Sequence, residues 1–576
     1  MAPEARADRE HADLPPAAGA ALACLAAPVR RWFAEAFGKP TPAQRLAWPA
    51  VAAGKHLLLS APTGSGKTLA AFLPLLSRLL GGPLVPGIRL LYVAPLKALG
   101  NDARRNLRAH LRGIRRHLPE GRGRLRAALR TGDTLPAARR RLLTAPPDVL
   151  LTTPESLAVL LSQPAVAPLF ADLQAVIVDE VHALAAGKRG ADLALSLERL
   201  TALAGGALQR VGLSATCAPL DEAAGFLVGV GRPCTVARVP ESAPLELAVE
   251  PLESRASGPP LAELIDRLGP ELAAHGATLI FTNTRRLAER LAWALRRRFP
   301  EWDEQIAVHH SAVAAARRRD VERRFKRGQL RAVVTSTSLE LGIDIGSVDR
   351  VVLVHPPGGV VRLLQRVGRA GHGPGRRRRG LVLTASAAEL LEAAVTVAAG
   401  LSGQHEPLRV PAHPLDVLCQ QLLGMACERS WHPDEAFALV RRAYPYRNLP
   451  RPDFDACLDY LSGRGPGGAA WLPSRLRWQE DSFTVRSDRT ARLLRQNVGT
   501  ILAEERRPVR LLPAESPDAP PLTSVVGDVD DPFADRLRPG DRFLLAGRCL
   551  EFRRFEGPAV IVQEVPGRPV PPRWAG

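Results

Sequence analysis

His56-Leu-Leu-Leu-Ser-Ala61-Pro-Thr-Gly-Ser-Gly-Lys-Thr68 is the stretch whose reading decides the fold of this chain. An apolar run breaks into a glycine-punctuated loop ending in Lys67 and Thr68, and the helix-like stretch Thr68–Leu80 follows. A buried strand, a tight loop and a helix in that order bring a row of backbone N–H groups to a helix N-terminus, where they can hold phosphate. Pro62, Thr63, Gly64, Ser65, Gly66, Lys67 and Thr68 are therefore candidate nucleotide-binding residues. On this reading the N–H groups of Gly64–Thr68 cradle a β-phosphate, Lys67 reaches the β- and γ-phosphates, and the Thr68 hydroxyl ligates Mg²⁺. Taken alone, the segment also fits an ordinary glycine-rich turn.

Outward from this loop, short apolar runs alternate with helical patterns from about residue 55 to 230. His56–Ala61, Arg89–Pro95, Val149–Thr153, Ala175–Glu180 and Arg210–Thr216 read as strands, with Ala191–Leu203 among the intervening helices. Runs that are apolar on both faces, joined by helices, imply a parallel sheet with crossovers. A Pro- and Glu-rich segment near 239–260 interrupts the rhythm. It restarts with Thr278–Thr284, Ile306–His309, Ala332–Thr335, Arg350–Val354 and Leu381–Thr384, a second α/β domain ending near 400.

Past a Pro-rich hinge around 407–414, Pro414–Arg429, Pro433–Tyr444 and Pro452–Leu461 read as three helices, each with Pro near its start. Arg475–Trp478 and Ser482–Val485 follow as a hairpin, which completes a winged helix. From about 490 the chain is β-rich, with strands at Arg542–Ala546 and Cys549–Phe555. The expected boundaries are an N-terminal extension at 1–29, α/β domains at 30–238 and 239–407, a winged helix at 408–488, and a β-rich segment at 489–576.

At 576 residues the chain is too long for one core, and its 46% hydrophobic and 24% charged residues are ordinary for a folded protein. The formal net charge of +20 reflects in part an Arg bias in an Ala-, Arg-, Gly- and Pro-rich chain. The remainder favours a polyanionic partner, because each neutralised phosphate releases counterions. Seven scattered cysteines with no C-x-x-C pair indicate neither a zinc site nor a disulfide framework, and they fit a reducing cytoplasm. No apolar run approaches the roughly 18 residues of a membrane span. Glu4, Arg6, Asp8, Arg9 and Glu10 make the leader unlike a signal peptide, and it reads as a ragged extension or a short first helix.

Asp179-Glu-Val-His182 ends an apolar run, which places its carboxylates at the carboxyl edge of the sheet, where ligands bind. Asp179 is the candidate Mg²⁺ ligand, and Glu180 the base that orients and deprotonates an attacking water. In Gln365-Arg-Val-Gly-Arg-Ala-Gly-His372, Arg366 and Arg369 are three apart on one helix face, suited to two guanidiniums aimed at a γ-phosphate. An exposed basic helix is the plain alternative, weakened by Leu339-Glu-Leu-Gly-Ile-Asp-Ile345 at a fitting interval upstream. Arg376–Arg379 reads foremost as a solvated loop, and at least one of Trp471 and Trp478 as packing rather than base stacking.

Taken in order, these motifs resemble the superfamily 2 DExH helicases. The series runs from Gln44 and the phosphate loop through Pro95-Leu-Lys-Ala-Leu99, Thr131-Gly-Asp-Thr134 and Thr152-Thr-Pro-Glu155 to Asp179-Glu-Val-His182. It continues with Ser214-Ala-Thr216, Phe281-Thr-Asn-Thr-Arg285, Thr335–Asp344 and Gln365–Arg369. Lys188-Arg-Gly190, Leu195-Ser-Leu-Glu-Arg199, Ser338–Gly346 and Pro414-Leu-Asp-Val-Leu418 are more narrowly similar to the large helicase-related family.

The resemblance implies two tandem RecA-like domains, then the winged helix and the β-rich segment. It implies ATP and Mg²⁺ as ligands, with Gln44 on the adenine edge, Gly342 and Asp344 at the nucleotide, and His182 and Gln365 in the catalytic set. Ser214 and Thr216 would couple hydrolysis to movement. Pro95, Lys97, Thr131, Thr153, Pro154, Thr284, Arg285, His310 and Thr335 would line a nucleic-acid track that grips phosphates without reading bases. ATP binding would close the two domains and bring Arg366 and Arg369 to the γ-phosphate. His309-His-Ser-Ala312 departs from the family's His-His-Ser-Ser. The family's core also continues beyond the Pro571-Pro-Arg-Trp574 region, whereas this chain ends at Gly576. Hydrolysis is expected to survive that shortening, and strand separation is the activity it puts in question.

The expectation is thus a monomeric, cytoplasmic helicase or translocase on single-stranded DNA, of 3′ to 5′ polarity by resemblance, in repair or recombination. Its rivals are an RNA remodeller, a DNA-stimulated ATPase that does not unwind, and a non-catalytic binding module. Intact Lys67, Asp179, Glu180, Arg366 and Arg369 argue against the last.

Overall fold

The computed structural model describes the chain except residues 1–8, 13–16, 63, 84, 120–123, 165, 241–243, 253–259, 341–344, 372–376, 466–471, 498–505, 513–524, 568, 571 and 573–576. It divides into two compact units: Met1–Glu241 with Pro407–Leu502, and Ser242–Glu406 with Ala503–Gly576.

The first unit is built on β1 (Arg9–Ala12), β2 (Leu57–Ser60), β3 (Leu90–Val93), β4 (Ala127–Arg130), β5 (Val149–Thr152), β6 (Ala175–Val178), β7 (Gln209–Ser214) and β8 (Cys234–Arg238). They form an eight-stranded sheet in the order β1-β8-β2-β7-β6-β3-β5-β4. Every neighbouring pair is parallel. β2, β3, β5, β6 and β7 are buried throughout, as continuous apolar runs between helical layers require. Three strands escape the sequence reading. In the leader Arg9–Ala12 is a strand pairing with Cys234–Ala237, and the Ala-rich stretch after it holds a short helix at Ala18–Ala23, while residues 1–8 and 13–16 lie outside the described residues.

The second unit repeats the plan with β9 (Leu245–Pro251), β10 (Thr278–Thr282), β11 (Ile306–His309), β12 (Ala332–Thr335), β13 (Arg350–Val354) and β14 (Arg378–Thr384). The order is β11-β12-β10-β13-β14-β9, again all parallel. β9 lies inside the segment read as a break, because its Leu-Glu-Leu-Ala-Val-Glu-Pro sequence alternates as a half-exposed edge strand.

In the first unit, helices Leu415–Glu428, Pro433–Arg442 and Arg451–Leu461 and the antiparallel hairpin β15 (Leu476–Gln479)–β16 (Ser482–Val485) make the winged helix. Leu418, Leu422, Trp431 and Phe454 share one hydrophobic core with Leu197 and Leu200 of the sheet domain. Across that seam Arg199 donates to Glu428 at 2.7 Å, and the Gln421 amide donates to Asp192 at 2.6 Å. Trp478 bonds Ser462 at 2.8 Å and packs edge-on to Phe483, so its role is structural. Trp471 lies outside the described residues.

The C-terminal strands are β17 (Arg506–Leu511), β18 (Val525–Asp530), β19 (Arg542–Leu545), β20 (Arg548–Glu556) and β21 (Ala559–Glu564), ordered β18-β17-β21-β20-β19. This sheet is seated on the second α/β domain by Glu289, a fully buried carboxylate on helix Arg285–Arg298. Glu289 accepts from the backbone N–H of Ala546 at 2.7 Å and of Gly547 at 2.6 Å. The His310 ring lies 2.8 Å from the same carboxylate. Because its Nδ1 accepts from the Ala312 N–H, its Nε2–H is the donor to Glu289.

Removing one member of a buried charged network leaves the others unpaired, at a cost of about 3 kcal/mol. Glu289→Ala should therefore lower the unfolding free energy of the second unit by that amount, seen as a lower urea midpoint, and expose the C-terminal sheet to protease. An unchanged midpoint would show that Glu289 is not the anchor.

Candidate functional site

Parallel strands place all their carboxyl ends on one edge. β2 leads into the phosphate loop there. Gly64 and Gly66 adopt φ of 78° and 83°, left-handed conformations that glycine reaches without strain. A Cβ on Gly66 would also lie 2.8 Å from the Gln44 side chain. Gln44 is buried and closes a capping box with Thr41, whose hydroxyl donates to the Ser65 carbonyl at 2.8 Å. Gln44 thus buttresses the loop. Lys67 opens helix Lys67–Gly81, and its ammonium donates to the Ala61 carbonyl at 2.5 Å and the Pro62 carbonyl at 3.3 Å. Thr68 follows it in the first helical turn, while Thr63 lies outside the described residues.

Two strands away, β6 ends at Asp179 and Glu180. Asp179 is buried and accepts a short hydrogen bond from the Tyr92 hydroxyl. Burial and the neighbouring Glu180 charge push its carboxyl above the usual range. Glu180 holds φ of 50°, a strained value for a residue with a side chain. Its Oε2 is buried with no hydrogen-bond partner among the described residues. An accepting oxygen left in that state suits a water that must be held and deprotonated.

His182 is held down to about 4 by burial and by the Lys67 charge, so its ring is neutral. Its Nδ1 accepts from the Ala215 N–H at 3.2 Å, and therefore the Ser214 hydroxyl, 3.1 Å away, is the donor to the same nitrogen. The histidine thereby wires the carboxylate pair to Ser214. Thr216 sits half-buried two residues on.

This donor set fits Mg²⁺ and a nucleotide: two glycines that leave room for phosphate, an ammonium, a hydroxyl, Asp179 and an uncommitted Glu180 oxygen. Among the described residues no three His, Cys, Asp or Glu side chains gather around a metal position. Thr68 and Asp179 would hold Mg²⁺ together with phosphate oxygens and water.

The remaining strand ends carry the expected track. Pro95 and Lys97 follow β3, Thr153 and Pro154 follow β5, and Thr131 follows β4, on three adjacent strands. Arg189 braces this edge, donating to Glu155 at 2.6 Å and the Pro95 carbonyl at 2.8 Å. Lys97 is half-exposed and pairs with Asp133 at 2.6 Å. Thr153 is buried and caps helix Pro154–Leu161 through the Ser156 N–H.

In the second unit Thr284 and Arg285 follow β10, and the exposed Thr284 caps helix Arg285–Arg298. Two expected track residues are placed otherwise. His310 is fully buried on Glu289, and Thr335 is buried with its hydroxyl donating to the His309 carbonyl at 2.8 Å. Neither side chain faces solvent, because both hold the ends of β11 and β12 in place. Arg366 is on helix Val360–Val367 as expected, but Arg369 lies beyond the helix end at Gly368. Arg366 bonds Asn283 at 3.1 Å and pairs with Glu340 at 3.4 Å, while Arg369 donates to the Glu340 carbonyl at 3.0 Å. Gln365 is half-buried beside them, and Gly342 and Asp344 lie outside the described residues. Glu340, which also pairs with Arg362 at 3.1 Å, gathers the arginines, and no spacing rule singled it out. Arg377 and Arg379 are exposed and both pair with Glu246, but Arg378 and Arg379 open strand β14 and Arg378 is buried, so the solvated-loop reading is corrected for Arg378 and Arg379; Arg376 lies outside the described residues.

Residues 41–223 match the DEAD/DEAH box helicase family, 260–373 the helicase conserved C-terminal domain, and 399–571 the large helicase-related protein winged helix domain. ATP-dependent helicase Lhr-Core protein 2 of Thermococcus barophilus is 42% identical, over 96% of this chain and 65% of that protein. ATP-dependent helicase Lhr-Core of Methanothermobacter thermautotrophicus is 39% identical, over 95% and 64%. The three domain matches and these relatives show a superfamily 2 chain that resembles the large helicase-related family. It spans just under two thirds of the length of these relatives.

A structure of Mycobacterium smegmatis helicase Lhr bound to ssDNA and AMP-PNP aligns with a TM-score of 0.77 at 42% identity, over 84% of this chain and 63% of that one. Helicase MrfA bound to DNA and AMPPNP aligns equally well, with a TM-score of 0.77 over 97% and 74%, but at 20% identity it shares the fold alone. The narrower motifs of that resemblance have a structural meaning. Lys188 pairs with Asp416 at 2.7 Å, Arg199 with Glu428 at 2.7 Å, and a Cβ on Gly190 would strike the Leu184 carbonyl at 2.1 Å. The two ion pairs seat the winged helix, whereas Gly190 lets its own helix start close against the Leu184 carbonyl.

Gly66→Ala should cost about 1–3 kcal/mol in backbone strain and displace Gln44. Titration with a fluorescent ATP analogue should show at least about a tenfold weaker complex. Wild-type affinity would mean that the loop tolerates a side chain and is not the phosphate cradle.

Proposed function

We propose that this chain is an ATP-driven motor that moves along single-stranded DNA. The observation that carries the reading is one sheet edge bearing the phosphate loop, the Asp179–Glu180 pair with its uncommitted Glu180 oxygen, and the Lys97–Thr131–Thr153 strand ends beside them. ATP is the substrate. Lys67 leaves its carbonyl partners to bind the β- and γ-phosphates, and backbone N–H groups of the loop orient them. Thr68 and Asp179 would hold Mg²⁺, which would supply charge neutralisation at the phosphate oxygens. Glu180 positions the attacking water and accepts its proton. Arg366 and Arg369 supply guanidiniums to the transferring phosphate, and Asn283 and Glu340 preset their geometry.

Single-stranded DNA is favoured because the 42%-identical Lhr structure is, in its own description, bound to ssDNA and AMP-PNP. Movement 3′ to 5′, work in DNA repair or recombination, a monomeric state and a cytoplasmic setting complete the reading. No helix among the described residues is long and apolar enough to cross a membrane.

Stimulation of ATP hydrolysis by single-stranded DNA, with single-stranded RNA as comparison, tests it directly. Strong stimulation by DNA alone, lost in Glu180→Gln, is the expected result. Equal stimulation by RNA would move the assignment to an RNA remodeller, and no hydrolysis at all would remove the motor. A strand-displacement assay on a 3′-tailed duplex reads unwinding separately.

Lys67→Ala should abolish turnover. Arg366→Ala should spare ATP binding while slowing hydrolysis on the order of a thousandfold. Normal hydrolysis by the Arg366 variant would disprove its role.

A further inference from the structure

At the β4 edge of the first sheet lies a groove that the motor reading does not use. Its volume is about 940 Å³, and seven arginines line it. Arg104, Arg108, Arg112 and Arg115 come from helix Lys97–Arg115, Arg124 from the approach to β4, and Arg141 from helix Pro136–Thr144. Ile114 and Leu142 belong to its apolar floor. No carboxylate is among the lining residues. The nearby acids are committed elsewhere, Asp102 to Arg105 and Asp148 to Arg89.

A solvated basic helix is the plain explanation for such a run, and the helix dipole favours Arg112 and Arg115 near the C-terminus. It does not explain why arginines from three separate segments converge on one concave surface. Like charges at four-residue spacing destabilise a helix, and Arg104 is held below the usual guanidinium range by burial and by Arg108. The cluster thus carries a cost that a polyanion would relieve.

Geometry selects the polyanion. Arg104, Arg108 and Arg112 repeat along one helix face every ~6 Å, on the scale of successive phosphates in an extended strand. The groove also begins at Thr134, the last residue of the Thr131-Gly-Asp-Thr134 turn on the proposed track. We propose that this groove binds the phosphate backbone of nucleic acid beyond the track, extending the grip of the first domain along the strand. The inference rests on the motor reading and adds a second contact to it.

The test is fluorescence anisotropy on labelled single-stranded DNA of about 30 nucleotides, long enough to leave a track-sized site behind. The full chain is compared with the triple variant Arg108→Gln, Arg112→Gln and Arg141→Gln, all exposed positions. Affinity should fall on the order of tenfold, and the log–log salt slope should become shallower by about 2, from roughly 0.7 for each of three lost contacts. Melting and nucleic-acid-free ATP turnover should be unchanged, and a triple lysine variant should keep the slope. A glutamine variant with wild-type affinity and slope overturns the groove and leaves the motor standing. Salt-insensitive binding by the unsubstituted chain would sink the motor reading first and the groove with it.

Discussion

The constraint on which everything else depends is that every strand of the first sheet runs the same way. All the strand-to-helix loops that matter then open on one edge, and strand order decides which residues become neighbours. β2, β7 and β6 are contiguous and bring together the phosphate loop, Ser214 and the Asp179–Glu180 pair. β3, β5 and β4 are contiguous on the far side and bring together Lys97, Thr153 and Thr131. On the proposed function this edge would have a phosphate-cleaving half and a strand-gripping half, with β6 and β3 hydrogen-bonded at the border. Tyr92 on β3 reaches across that border to Asp179 on β6, so the halves share a buried hydrogen bond.

Each accessory domain is joined to its sheet domain by buried charge as well as apolar surface. The Arg199–Glu428 pair and the Gln421–Asp192 bond fix the winged helix, and Glu289 fixes the C-terminal sheet. Buried charges add little net stability when compared with a well-packed apolar contact, but they cost several kcal/mol when misaligned. Apolar surface alone would tolerate sliding at either seam. Paired charges with fixed hydrogen-bond geometry penalise it, which keeps each module in register with the sheet domain it sits on. The winged helix accordingly shares a single core with the first sheet domain instead of hanging from a linker.

Much of this was legible in the sequence because it depends on local order. A buried apolar run, a glycine loop and a helix start declare the phosphate site wherever they occur, and the central strands are long and apolar enough to stand out. The strands missed in the two parallel sheets share a cause. β1, β4, β8 and β9 lie at or beside sheet edges, where Arg9, Arg130, Arg238 and Glu246 are admissible and the apolar signal thins. Glu340 and Glu289 gain their roles from partners brought together only by the fold, and no motif spacing encodes that convergence. His310 was assigned to the track from its place in a motif series. The structure instead gives its ring to Glu289, since a neutral imidazole with a buried acceptor at 2.8 Å has little reason to face a strand.

His182 is where chemistry and motion can meet. It is neutral, and both of its Nδ1 partners belong to the Ser214-Ala-Thr216 segment. Its ring also lies 3.6 Å from the Glu180 carboxylate. A change in protonation or position at Glu180 therefore acts on a ring whose hydrogen bonds end in that segment. The same segment runs on to Ala218, whose carbonyl accepts from the Leu408 N–H at 2.6 Å, where the chain enters the winged helix. Carboxylate, imidazole, serine and winged-helix entry are thus contiguous within one unit. Under the proposed function, the coupling role would run through Ser214 because its hydroxyl, with the Ala215 N–H, ties the ring beside Glu180 to that segment.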